Sequence, residues 1–257
     1  MKTAVSETSD QSSYFGGKGG CFRHLINQIP PIDTLYVPFA GHCAIVRNLL
    51  CPQDIFLNDL DPAVVKWWRT PTNVILPTRW KITNKCGIEC LEDLARDSRR
   101  VVGRFEKCLI YLDPPYLHST RKSETRYRFE MSVDDHVRLL AIAKELPCKI
   151  MISGYSSKLY LKELADWRHF DFPSMTRGGQ ATEHVWCNYS QPTELQDYRF
   201  LGADKVERFK LERRRKNLIR KLKRLKPIER NALLAAVASE FGVGGSGVCL
   251  LNTERKV

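Results

Sequence analysis

The chain has 257 residues, 43% hydrophobic and 27% charged, with a formal net charge of +12. These are the proportions of a soluble globular protein, and no uninterrupted apolar run approaches the roughly 20 residues needed to span a bilayer, so a membrane-embedded function is not expected. The length suits one catalytic domain with a small appendage.

Taken in chain order, Met1 to Ser13 is polar, rich in Ser and Thr and without an apolar segment, so it reads as a disordered leader and not as a signal peptide; a cytoplasmic protein is expected. Tyr14-Phe15-Gly16-Gly17-Lys18-Gly19-Gly20 then precedes a helix beginning near Cys21. Short apolar runs follow at Leu35 to Val37, Ile55 to Leu57, Ile82, Leu109 to Leu112, Lys149 to Ile152 and Val185 to Trp186, each separated by helical patterning. Such alternation predicts an α/β fold with helices on both faces of a mostly parallel sheet.

Several helix starts are legible. Pro62 is placed to open a helix carrying Val64, Val65 and Trp68. Ser132, with Asp135 three residues on, has the form of a capping box for a helix from Val133 to Leu146 with Val137, Leu140 and Ala141 on its apolar face. Ser156 or Ser157 can cap the segment running to Ala165. A catalytic domain over residues 14–200 and a basic helical appendage over 201–257 are expected. In the latter, Leu211, Leu218, Leu222 and Leu225 form an apolar stripe, and Pro227 begins a last helix through Phe241. Gly242 to Gly247 reads as a flexible tail, not a phosphate loop.

The cysteines are scattered from Cys21 to Cys249 without a C-x-x-C pair. They read as reduced thiols filling the core, and Cys86 and Cys90, four apart, lack the paired ligands of a structural zinc site, so no metal is expected.

The sharpest chemical signal is Ile110-Tyr111-Leu112-Asp113-Pro114-Pro115-Tyr116. An apolar strand ends in an acid, two prolines and an aromatic ring, and ligands of open α/β sheets bind at the carboxyl ends of strands. The prolines fix the backbone and remove two amide donors, so the Asp113 carboxylate and the Pro114 carbonyl can both accept hydrogen bonds from one substrate amine. The exocyclic nitrogen of adenine is a poor nucleophile because its lone pair is delocalised into the ring. Two acceptors holding its hydrogens localise that pair, and Tyr116 offers a face on which an extruded base can stack.

Leu35-Tyr36-Val37-Pro38-Phe39-Ala40-Gly41-His42-Cys43 reads as a strand turning into a helix, and Asn58-Asp59 places an acid just past the next strand, where ribose hydroxyls are bound in Rossmann-like sites. The glycine-Lys loop lacks G-x-x-x-x-G-K-[ST], so a nucleoside triphosphate site is disfavoured. A sulfonium cofactor instead carries an amino-acid carboxylate that Lys18 can pair with.

In this order of loop, turn, acid and D-P-P-Y, residues 14 to 190 resemble the Dam-like class of adenine-specific DNA methyltransferases. Ile152-Ser153-Gly154-Tyr155, Met175-Thr176-Arg177-Gly178-Gly179 and Trp186-Cys187-Asn188-Tyr189 are similar to a phage and bacterial subgroup. The resemblance implies a Rossmann-like class I methyltransferase sheet of seven strands, S-adenosylmethionine as cofactor, DNA as partner, and a bacterial or phage setting such as restriction-modification. It implies cofactor contacts from Tyr14, Phe15, Gly16, Gly17 and Lys18, from Pro38, Phe39, Ala40 and Gly41, and from Asn58 and Asp59, with Glu89 as a stand-in for the acid that meets the cofactor's adenine. Asp113, Pro114, Pro115 and Tyr116 become the catalytic residues.

The chain departs from that pattern. Val37 replaces the acid of E-P-F-x-G-x-G and Cys43 its last glycine. Only about two dozen residues separate Gly87 from Asp113, so the usual recognition insertion is missing and a short or relaxed target sequence is expected. Nucleic-acid contacts then fall to the loop from Leu117 to Met131, with Arg121, Lys122, Arg126 and Arg128, and to the appendage. There, Lys205 to Lys226 contains twelve Lys or Arg against Glu207 and Glu212, a local net of +10. Arg213, Arg214, Arg215 and Lys216 are the central candidates for phosphate contact. Methylation of RNA adenine or of the DNA cytosine amine, and a DNA-binding relative without catalysis, are the alternatives.

Overall fold

A computed structural model describes residues 21–50, 52–71, 79–98, 105–120, 128–176 and 179–242. The expected loop from Tyr14 to Lys18, the positions Arg121, Lys122 and Arg126, and the glycine-rich tail beyond Gly242 lie outside these residues. The chain divides after Tyr198 into two compact units.

The first unit is built on a seven-stranded sheet in the order β3-β2-β1-β4-β5-β7-β6. Its strands are β1 (Thr34–Val37), β2 (Asp54–Asn58), β3 (Arg79–Thr83), β4 (Cys108–Leu112), β5 (Lys149–Gly154), β6 (Arg168–Thr176) and β7 (Gly179–Cys187). The first five run parallel, while β7 is antiparallel to both β5 and β6. This is a Rossmann-like, mostly parallel sheet of seven strands, as the resemblance implied.

Among the described residues this unit has six α-helices: α1 (Phe22–Ile26), α2 (Ala44–Asn48), α3 (Pro62–Arg69), α4 (Gly87–Ser98), α5 (Val133–Glu145) and α6 (Lys158–Glu163). Successive strand residues face opposite sides of a sheet. Ile110, Leu112, Ile150, Ile152 and Trp186 therefore pack with Ile88 and Leu91 of α4, Leu139 and Leu140 of α5 and Tyr160 of α6 in one apolar cluster. Their neighbours Leu109, Tyr111, Met151, Ser153 and Val185, equally buried, face the other side. All five residues of β4 are buried, as a central parallel strand covered on both faces requires.

Local chemistry explains the helix starts. Asp61 caps α3 by accepting the Ala63 amide, with Pro62 in the first turn, and Ser157 caps α6 through the Tyr160 amide. Ser132 and Asp135 form the reciprocal capping box of α5. The apolar face expected for α5 is corrected: Val137 and Ala141 are exposed, and the buried positions are His136, Leu139, Leu140 and Ala143. The error is a rotation of the stripe by one position, because His136 turns inward to hydrogen-bond the Tyr160 hydroxyl at 2.9 Å. The strand β6 was not anticipated. Phe170 and Phe172 alternate as a strand requires, and Pro173 is tolerated because β6 lies at the sheet edge.

The second unit contains α7 (Lys205–Arg224) and α8 (Pro227–Phe241). Asp204 caps α7 through the Glu207 amide, and Gly242, in the left-handed conformation, ends α8. Neither helix has a buried residue. Of the expected stripe, Leu211, Leu222 and Leu225 are half-buried and Leu218 is exposed.

Candidate active site

The strand order reverses between β1 and β4, which lie side by side with their crossovers leaving in opposite directions along the sheet. Ligands of open α/β sheets bind in the crevice at such a switch point, beyond the carboxyl ends of the strands. Here β1 ends in Pro38-Phe39-Ala40-Gly41 and β4 ends in Asp113-Pro114-Pro115-Tyr116, so the two segments singled out by chemistry meet at the position favoured by topology. Their proximity also shows electrostatically. The Cys43 thiol is pushed up to about 11, by burial first and in part by the charge of the Asp113 carboxylate.

The β1 turn is held from three directions. Gly41, at φ 43°, donates its amide to Asp59 Oδ2 at 2.7 Å, and its carbonyl accepts the Trp68 indole N–H at 2.7 Å. A side chain at this left-handed position would be strained. The Ala40 amide donates to the Asn58 carbonyl at 2.8 Å. Beside it the Phe39 ring lies so close to α4 that a Cβ on Gly87 would come within 2.5 Å of it, which explains the glycine that opens that helix. His42 stacks on Trp67 at 4.0 Å, and burial with the nearby Arg47 pulls its pKa down to about 4.

Asp59 and Asn58 occupy the end of β2. Asp59 accepts the amides of Gly41 and Asp61, at 2.7 and 2.8 Å, and burial raises its pKa against those hydrogen bonds. A carboxylate has about four lone-pair positions, so two further hydroxyl donors can be accommodated. Asn58 is buried and its amide ties three strand ends together. It donates to the carbonyls of Pro38 and Lys85 at 3.0 and 2.8 Å, and accepts from Thr83 Oγ1 and the Lys85 amide at 2.8 and 3.2 Å. Those four bonds saturate its side chain and give it a structural task in the crevice wall. Glu89 lies in the first turn of α4, exposed. Among the described residues, no group of three or more metal-ligating side chains comes together.

At the end of β4, Pro114 is buried, while Asp113, Pro115 and Tyr116 are half-exposed. A polar chain missed by the sequence reading supports them. The Tyr111 hydroxyl lies 2.8 Å from Ser153 Oγ, and Ser153 Oγ donates to Asp113 Oδ1 at 3.2 Å. Because Ser153 has a single hydroxyl hydrogen, Tyr111 is the donor in the first bond. This agrees with a phenol whose pKa burial drives well above its ordinary value. The Tyr116 hydroxyl donates to Glu183 Oε1 at 2.7 Å, and its ring meets Tyr155 edge-to-face at 4.5 Å. Ser153 and Tyr155 lie in a segment the resemblance quoted without roles. Glu183 was not singled out, although its phase with the buried Val185 and Cys187 on a two-residue repeat marks it as inward-facing.

The nucleic-acid candidates fall in both units. Arg128 reaches Asp61 Oδ1 at 3.3 Å, so its guanidinium stands at the β2 end of the crevice. Arg213, Arg214, Arg215 and Lys216 lie exposed on α7, where Lys216 pairs with Glu212 at 2.7 Å.

No protein-family model matches the chain, and no curated protein matches it. Several solved structures share part of the fold. Human methyltransferase-like protein 13, in complex with SAH, is 18% identical over 74% of this chain and 84% of that one, at a TM-score of 0.42. N-methyltransferase NodS from Bradyrhizobium japonicum WM9 is 8% identical over 66% and 93%, at 0.43. A SAM-dependent methyltransferase from Agrobacterium tumefaciens is 8% identical over 65% and 60%, at 0.42. Likenesses this distant assign no substrate and no site residue, so function has to be read from the crevice itself.

Proposed function

We propose that the chain is an S-adenosylmethionine-dependent methyltransferase acting on the exocyclic 6-amino group of adenine in DNA. The observation that carries this reading is the placement of Asp113-Pro114-Pro115-Tyr116 at the switch-point crevice, directly beside the Gly41 turn. Asp113 Oδ1 is braced there from behind by Ser153.

The crevice fits the cofactor. Asp59 presents a carboxylate with remaining acceptor capacity at the β2 end, suited to ribose hydroxyls, and Phe39 offers a half-exposed ring braced against Gly87. Pro38, Ala40 and Gly41 form the adjoining floor. Bound there, S-adenosylmethionine supplies an electrophilic methyl group. Val37, in place of the acid of the resembling family, is buried in the sheet, so this chain holds the amino-acid end of the cofactor with groups other than a β1 carboxylate.

The residues of the β4 end act on the acceptor. Asp113 and the Pro114 carbonyl each accept one hydrogen of the amine and localise its lone pair, and Asp113 is the carboxylate placed to hold the proton that the amine releases. The Tyr111–Ser153 chain donates into Asp113 Oδ1 and fixes its orientation. Tyr116, buttressed by Tyr155, provides the stacking face for a base turned out of the duplex. The basic α7 suits a polyanionic substrate.

The test is incubation of the full chain with methyl-labelled S-adenosylmethionine and unmethylated plasmid, followed by nucleoside analysis. N6-methyladenine is the expected product. Label in cytosine or only in RNA would move the acceptor to the alternatives named above. No transfer to any nucleic acid, with cofactor binding intact, would overturn the reading.

A further inference from the structure

Glu183 is 4% exposed and lies on β7, in phase with Val185 and Cys187 and on the same sheet face as Tyr111 and Ser153. Nothing in the mechanism above uses it. A buried carboxylate is costly unless its oxygens accept hydrogen bonds, so its retention beside a catalytic motif calls for a task. The neighbouring phenol supplies one. Tyr116 has a single hydroxyl hydrogen and two carboxylates within reach: Glu183 Oε1 at 2.7 Å and Asp113 Oδ1 at 3.4 Å. The first is an ideal O–H···O⁻ distance and the second is at the limit of any hydrogen bond.

We propose that Glu183 is a positioning residue that captures the Tyr116 hydroxyl and thereby keeps it from occupying Asp113. This inference rests on the assignment of Asp113 as the acceptor for the substrate amine. A hydrogen bond from Tyr116 to Asp113 would draw on the carboxylate that the amine needs and turn the ring out of its stacking orientation. Glu183 prevents both by offering the phenol a closer carboxylate from the neighbouring strand. The tyrosine of the motif is thus held by β7, and the aspartate by Ser153 of β5.

The experiment pairs Glu183→Leu with Glu183→Leu/Tyr116→Phe. In the single variant the phenol loses its partner and turns to Asp113. Turnover is expected to fall about tenfold or more, as for loss of one preorganised hydrogen-bonding group, with the cofactor dissociation constant and the KM for DNA little changed. In the double variant the competing hydroxyl is gone, so turnover should return to that of Tyr116→Phe alone. A purely structural glutamate would show no such rescue. Glu183→Gln keeps an acceptor oxygen without the charge, so its turnover should fall between those of wild type and Glu183→Leu, and it carries the test if Glu183→Leu fails to fold.

A second readout needs no methyl acceptor. Ultraviolet titration of tyrosinate, taken as the difference between each protein and its Tyr116→Phe counterpart, should show Asp113→Asn shifting the ionisation of Tyr116 to lower pH by more in the Glu183→Leu background than in wild type, because only there does the phenol turn to Asp113. Wild-type turnover in a folded Glu183→Leu, or a double variant as impaired as the single, would overturn the positioning role. If instead the wild type methylates no nucleic acid while the titration shift is present, the phenol–Glu183 coupling stands and the assigned substrate fails.

Discussion

The two units of the chain use charge in opposite ways. In the sheet unit, the polar groups at the strand ends are locked to fixed partners: Asp59 to two backbone amides, Asn58 to four groups on two segments, Asp113 to Ser153, and Tyr116 to Glu183. In the helical unit, a local net charge of +9 is spread along α7, which has no buried residue. The difference teaches where function is specific and where it is bulk. A locked group acts through geometry, so its loss is large and local, whereas an exposed charge acts through the summed field, so its loss is graded and screened by salt.

The largest effect should come from Asp113→Ala, which removes the oriented acceptor and leaves its strand intact. We expect turnover to fall roughly a hundred- to a thousandfold with cofactor affinity preserved, measured by single-turnover methylation and calorimetry. Turnover within tenfold of wild type would show that the locked aspartate does not do the chemistry.

Asp59→Ala should come next. It orphans the amides of Gly41 and Asp61 and removes the acceptor proposed for the ribose, so cofactor binding should weaken by about 1 to 3 kcal/mol and the thermal midpoint should drop. Unchanged cofactor binding in calorimetry would move the pocket away from the β2 end.

The helical unit predicts a graded response. Replacing Arg213, Arg214, Arg215 and Lys216 by Gln should weaken binding to every duplex alike, without changing which sequence is methylated. Each phosphate left without its cation should flatten the slope of log affinity against log salt by about 0.9. Since Lys216 is engaged by Glu212, about three phosphates are affected and a drop of about 2.7 is expected. An unaltered slope would remove α7 from the DNA interface and erase the contrast between the units.

The smallest effect concerns acid stability. The folded His42 resists protonation until about pH 4, while in the unfolded chain it takes a proton near its ordinary 6.5. A group with a depressed folded pKa contributes stability that is present above the unfolded value and is lost as pH falls through this window. His42→Phe keeps a ring against Trp67 and removes the titration, so thermal midpoints measured across that window should fall less steeply than in wild type. The helical unit carries no histidine, so the same scan on a chain ending at Tyr198 should show the same difference between variant and parent.

What the sequence determined by itself was everything encoded within a few residues. The strand periods, the capping box at Ser132, the Pro62 and Pro227 helix starts and the D-P-P-Y signature all depend on short-range sterics and hydrogen bonding, and so can be read along the chain. The class of sheet followed from their alternation. Only the tertiary structure decided which side chains oppose one another. It brought Gly41 under the Trp68 indole, turned His136 inward, and set Glu183 against a phenol 67 residues earlier in the chain. A glutamate in a strand of ordinary alternation carries no local mark of its partner. That partner is chosen by the register of β7 on β5, which depends on packing both faces of the sheet at once.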